Sequence, residues 1–312
     1  MMTLIKVVEI WAPKNETQLT LQGAFYGQLE SFAGQSKPLS FVKGEGLPGK
    51  VWETLTAIAA PLNAVNHFLR KDEARHAGLG SVLALPIVCN ERLNAVVLLF
   101  FGNHPEEKGG VEVWVDESSQ QLELTLSSAA YNHLDQFKKL SETLKLRRGM
   151  GLPAICWAKQ RPFLIANLGD TYSRFLRAEE ARRAGLTGGF AIPIETVEQS
   201  TQIVAMLSSH HAPIARQIEI WELNSKHRQF EFDSGFSYVY SNLFNHYNDV
   251  AYALEDDSPL AKTYQNRNAT VTETPAYPGK ISITEARMEP LCGLYLPIFR
   301  DNSVAYIVIF YL

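Results

Sequence analysis

Cysteine is scarce in this chain of 312 residues: Cys89, Cys156 and Cys292 are the whole complement. Three scattered thiols make no disulfide framework and suit a reducing, cytoplasmic compartment. Long apolar runs are missing as well. The longest, Ala95–Phe101 and Val304–Leu312, fall well short of the roughly 20 residues that a membrane helix needs. The opening MMTLIKVVEIW offers no small-residue cleavage site, which argues against a signal peptide. Basic charge is not in excess. With 29 Lys and Arg against 33 Asp and Glu the net charge is −4, the wrong sign for general binding to nucleic acid or an anionic membrane. The histidines at 67, 76, 210 and 211 have no partners at ligand spacing, so no metal site is expected. No Ser/His/Asp spacing recurs along the chain, and no catalytic residue is expected. A composition of 46% apolar and 20% charged residues excludes disorder and low complexity and belongs to a chain that buries cores.

What the chain does have is an internal repeat. Val8-Glu9-Ile10-Trp11 returns as Val111-Glu112-Val113-Trp114 and as Ile218-Glu219-Ile220-Trp221, with the tryptophans 103 and 107 residues apart. Gly46-Leu47-Pro48 returns as Gly151-Leu152-Pro153 and, in worn form, as Ser258-Pro259-Leu260. Leu85-Pro86-Ile87 returns as Ile192-Pro193-Ile194 and Leu296-Pro297-Ile298. Tyr26, Tyr131 and Tyr238 each precede a Phe by six residues and a second large aromatic by 26. The triplet Glu-Ala-Arg stands at 73–75, 180–182 and 285–287. This period suits a small domain and is too long for a solenoid unit, so three domains are expected, over 1–103, 104–211 and 212–312. Acidity gathers in the third and most diverged, whose net charge is −4 against +1 and −1 for the others.

Each repeat opens with two alternating runs that read as a β-hairpin: 4–11 with 18–24, 111–115 with 121–126, and 217–221 with 229–232. A short helix bearing the Tyr and Phe follows, longest over Ala129–Thr143. The Gly-Leu-Pro element starts a second helix. A strand comes next, then the Glu-Ala-Arg helix, stopped by Gly78 or Gly185. Two strands close the unit. The order β-β-α-α-β-α-β-β predicts an α+β domain with a mostly antiparallel sheet. Ala95–Phe101 and Val304–Leu312 are apolar at consecutive positions, so both faces of these last strands must be covered.

The segment Gly44-Glu45-Gly46-Leu47-Pro48-Gly49-Lys50-Val51-Trp52-Glu53 is similar to the one that opens the central helix of many GAF domains. Phe68-Leu69-Arg70, Ala74-Arg75, Ala77-Gly78-Leu79 and Leu85-Pro86-Ile87 follow in the order seen in GAF domains of bacterial sensor kinases. Gly151-Leu152-Pro153, Phe175-Leu176-Arg177, 181–186 and 191–194 match in the second repeat, and the framework alone matches in the third. The resemblance implies three GAF-like (profilin-like) domains, each a central antiparallel sheet with flanking helices, in a small-molecule-binding or dimerising sensory module. The chain departs from the family in leaving no room for the helices that usually back the sheet. Those back faces must be covered by neighbouring repeats or by another subunit. No output domain is attached, so a signal would act in trans. In the family the first and last strands are sheet neighbours, which leaves two pairings open. Each last strand meets its own repeat's hairpin in the expected serial arrangement. In the alternative, 93–101 pairs with the hairpin at 111–126, and residues 1–35 complete the last unit.

Within the resemblance, Phe41, Trp52 and Trp157 line the space between helix and sheet, where the family holds its ligands; aromatics there also serve as plain core. Arg75 and Arg182 of the Glu-Ala-Arg helices would hold an anionic ligand through their guanidinium forks, or else make local surface pairs. The cysteines read as inert and buried. The expected function is a non-enzymatic, cytoplasmic sensory or regulatory protein that binds a small molecule, with no cofactor identified. The alternatives are a ligand-free scaffold for a homodimer or a partner signalling protein, and a thiol-based reductase.

Overall fold

The computed structural model describes residues 2–66, 68–116, 122–170, 172–196, 201–239, 244, 247, 250–273 and 292–312. In the first unit β1 (Ile5–Pro13) and β2 (Leu19–Phe25) form the hairpin. Then come α1 (Glu30–Ser36), β3 (Ser40–Phe41), α2 (Gly46–Thr54), β4 (Ile58–Pro61), α3 (Lys71–His76), β5 (Leu79–Cys89) and β6 (Arg92–Gly102). The second unit repeats the series as β7 (Gly109–Val115), β8 (Glu123–Asn132), α4 (Asp135–Thr143), β9 (Leu146–Arg147), α5 (Leu152–Lys159), β10 (Phe163–Ile165), α6 (Ala178–Ala184), β11 (Leu186–Glu195) and β12 (Thr201–Ser209). The third contains β13 (Gln217–Asn224), β14 (Gln229–Ser237), β15 (Ala251–Ala253), α7 (Pro259–Asn266), β16 (Thr270–Thr272), β17 (Gly293–Arg300) and β18 (Ser303–Tyr311).

These strands make three six-stranded sheets, the first in the order β3-β2-β1-β6-β5-β4. Neighbouring strands pair antiparallel, as in Ile10↔Val97 and Val113↔Val204. Each sheet is therefore built from consecutive strands, and the hairpins are not exchanged between units. The element order differs from expectation by a short edge strand, β3, β9 or β15, after the hairpin. The helix expected over 129–143 begins only at Asp135, because Ala129–Asn132 continue β8 and pair with β7, Tyr131 lying opposite Gly110. The tyrosine thus stands in or just beyond the strand, and only the Phe lies in the helix. The triplet at 285–287 and His67 lie outside the described residues.

Alternation along each strand separates two buried faces. On β1 the residues Val7 and Trp11 face the helices, whereas Val8, Ile10 and Ala12 face the other way. Their back face joins Val97, Leu99, Val111, Val204, Met206, Ile218 and Val308 in one core drawn from all three sheets. The neighbouring repeats therefore cover the apolar back faces, and each sheet hides an edge against the next unit. Ala59 N–H of β4 donates to Ser128 Oγ of β8 (3.1 Å). Arg161, just before β10, pairs with Asp233 of β14. Val271 of β16 packs on Gly23 of β2, where a Cβ would come within 3.0 Å of it. First to second, second to third and third to first, the contacts close a ring. At its centre the three proline motifs, around Pro86, Pro193 and Pro297, converge on a narrow gap.

Candidate functional site

The same buried carboxylate occupies all three units. The register of each first hairpin shifts just before the tryptophan, at Ile10/Trp11, Val113/Trp114 and Ile220/Trp221. Glu and Trp, two residues apart on the regular strand, share the helix-facing side by ordinary alternation, and the indole donates to the carboxylate at 3.0, 2.9 and 2.8 Å. Glu9, Glu112 and Glu219 have no exposed surface. A charge so buried needs hydrogen bonds or an opposite charge to hold it.

In the first unit the opposite charge is Arg70, whose fork meets Glu9 at 2.5 and 3.0 Å. Tyr26 donates to the same carboxylate (3.0 Å), and Arg70 also reaches Ser36 Oγ. The guanidinium lies 4.6, 5.4 and 5.5 Å from the rings of Phe32, Phe68 and Phe100. The second unit repeats the same hydrogen bonds. Arg177 meets Glu112 at 2.5 and 2.9 Å and Ser141 Oγ at 2.5 Å, Tyr131 donates at 2.8 Å, and Phe137 and Phe175 flank the cation. Burial alone would lower the pKa of Arg177, but the Glu112 charge and hydrogen bonds outweigh it and raise it. Bidentate pairing, a hydroxyl and aromatic faces together satisfy an otherwise costly buried cation. Both Tyr26 and Tyr131 are pushed up, by burial first and the glutamate charge second.

The third unit keeps the glutamate and holds it differently. Glu219 accepts from Trp221 Nε1 (2.8 Å), Tyr247 Oη (2.9 Å), Gln217 Nε2 and Tyr311 Oη (3.3 Å). Among the described residues no cation pairs with it. In the register of the triplets, Ser282 takes the place of Arg70 and Arg177. Tyr238, the register counterpart of Tyr26, serves elsewhere: its hydroxyl sits against Gly188 of the second unit, where any Cβ would collide with it.

These centres fill the space between helices and sheet in which the aromatic candidates were expected to line a pocket. Phe41 is buried edge-on against Trp11, ring centroids 4.8 Å apart. Trp52 is half-buried against the same core. Trp157 is buried, with Arg148 5.0 Å above its ring. Arg75 is 73% exposed and pairs with Asp72 one turn away (3.0 Å). Arg182 is exposed and donates to Gly169 O (2.6 Å). It borders an open groove of 790 Å³ with Met150, Phe175, Leu176 and Glu179. The structure therefore brings none of the five onto the carboxylate. The residues that do meet it, Arg70 and Arg177, stand five positions before Arg75 and Arg182. Cys89, Cys156 and Cys292 are free and buried. Burial pushes the Cys156 thiol up, and burial with the Glu273 charge pushes Cys292 up to about 12. No helix among the described residues is long and apolar enough to cross a membrane.

No family model and no curated protein matches the chain. Solved structures do. One is the A. aeolicus nlh2 GAF domain in an inactive state, 20% identical, with a TM-score of 0.26 over 31% of this chain and 58% of that one. The likeness is to GAF domains. A second is the NreA protein of Staphylococcus aureus mutated in its nitrate-binding site (16% identity, 35% and 78% covered, TM-score 0.28). A third is the free methionine-R-sulfoxide reductase of Neisseria meningitidis with its substrate (11%, 34% and 53%, TM-score 0.25). Each of these matches spans about a third of the chain, the length of one of its three α+β units. The chain spans under two thirds of the length of the first of these structures.

Proposed function

We propose that the chain is a non-enzymatic, cytoplasmic regulatory protein whose outward, helix-bearing sides receive a small molecule and report it in trans. The observation that carries this is the shared core: the back faces of the three sheets are spent on one another. A scaffold that pairs through open sheet faces loses its surface, and the helix sides remain for recognition. The groove beside Arg182 and Leu176 in the second unit combines apolar side chains with Arg174, Arg182, Glu179 and Glu180, a mixed lining that suits an amphipathic small molecule. Free, buried thiols with raised pKa values fit a reducing compartment and supply no ready thiolate, which weighs against a thiol-based reductase.

Native mass spectrometry of gently purified protein tests the reading. Retained extra mass that Arg182→Ala removes, with urea stability unchanged, supports it. A ligand-free dimer would favour the scaffold instead.

A further inference from the structure

A buried glutamate with a matched arginine holds its charge, whereas one held by neutral donors has a second option, which is to take a proton. Four neutral groups surround Glu219: Gln217 and Trp221 on its own strand, Tyr311 on β18 and Tyr247 after β14. Among the described residues the other titratable groups facing this cluster are Tyr252 on β15 and Tyr295 on β17, with Asp256 beyond Tyr252. Phenols are neutral at physiological pH, and here burial pushes Tyr247, Tyr252 and Tyr311 higher still.

We propose that Glu219 is a proton switch, a buried carboxyl held among the described residues by neutral donors alone, whose charge state sets the stability of the third unit. The first two centres belong to separate cores on the helix side of their own sheets. Trp221 faces the helix side of its own sheet too, but with Tyr247, Tyr295 and Tyr311 it packs continuously with the core that all three units share. On protonation the proton goes to one carboxyl oxygen, which turns from acceptor to donor. The Tyr311 or Tyr247 hydroxyl can rotate to accept from it, so the cage stays satisfied in both states. The arginine forks of the other units engage both oxygens and leave no such option. Burial outweighs the four hydrogen bonds and lifts Glu219 from 4.5 to about 7, which places the switch at physiological pH.

The test is a pH titration of the glutamate side-chain carboxyl resonances in the full chain, labelled with carbon-13, alongside Glu219→Gln. One resonance should titrate near pH 7 and vanish in the variant. Folded Glu219 binds its proton more tightly than the unfolded chain does, so stability is full below pH 4.5 and is lost as pH rises through 7. The unfolding constant should rise on the order of a hundredfold across that window, and in Glu219→Gln this rise should disappear. If every glutamate titrates in the ordinary carboxylate range, or the variant keeps the wild-type pH profile, the proposal is overturned. Should Glu219→Gln fail to fold, the wild-type titration decides alone.

Discussion

The second and third units solve one electrostatic problem in opposite ways. Both bury a glutamate two residues before a strand tryptophan, and both satisfy it with the indole and a tyrosine. The second unit adds a cation from a loop 65 residues away and clamps it between aromatic rings. The third adds a glutamine and a second tyrosine and, among the described residues, supplies no charge. The difference shows what each element of the centre does. Indole and phenol orient the carboxylate; the arginine pays for its burial and staples the loop to the sheet. Where the arginine is gone, the carboxylate's charge becomes conditional on pH.

The largest expected effect comes from making the second unit resemble the third. Arg177→Ser leaves Glu112 buried with no opposite charge and should cost about 3–5 kcal/mol in urea denaturation. Arg70→Ser should behave alike in the first unit. A loss under about 1 kcal/mol would mean that the cation is decorative. Next in size is the third unit's own pH response. A shift of Glu219 from 4.5 to about 7 corresponds to about 3 kcal/mol, present below pH 4.5 and lost as pH rises through 7. Glu219→Gln should remove that slope and leave the chain more stable than the wild type above pH 7.

Much of this was legible beforehand, and what was not has physical causes. Local pattern sufficed for three units, their serial order and their antiparallel sheets, because periodicity and turn residues act within a few positions. The doubly apolar strands also announced that the back faces would be covered. The identity of the cover was not legible, since the ring depends on contacts such as Arg161–Asp233, 72 residues apart. The buried carboxylate did leave a signal. A glutamate between apolar neighbours on a strand, repeated three times, sits where no surface residue belongs. Its arginine is 61 residues away in the first unit, and nothing short-range marks Arg70 over Arg75. Nor does the repeat register show that Tyr247 takes over from Tyr238, because that exchange follows from packing between units.

The ring itself offers a smaller test. Arg161 and Asp233 are 30% and 14% exposed and join the second unit to the third, with the guanidinium 5.8 Å from the Tyr306 ring. Arg161→Ala should cost about 1 kcal/mol, since partial exposure screens the pair. Its effect should be non-additive with Asp233→Asn in a double-mutant cycle, as for any pair in contact. Strict additivity would show that the units meet elsewhere.

The smallest expected effect sharpens the comparison most, because it sets two arginines five residues apart against each other. Arg70 stands at the N-cap of the short helix α3, and Arg75 lies in its last turn. Arg75 recurs in a triplet found three times and is the one that sequence reading singles out, for an anionic ligand or a local surface pair. In the fold it is 73% exposed, and its partner Asp72 is 73% exposed too. An exposed pair one turn apart contributes a few tenths of a kcal/mol, screened by salt. Arg75→Ala should therefore leave the urea midpoint nearly unchanged, while Arg70→Ala unfolds the chain at far lower denaturant. The same arginine type at nearly the same position then differs by several kcal/mol, and burial opposite Glu9 is the whole reason. Equal effects from the two substitutions would show that the buried pair contributes no more than the surface one.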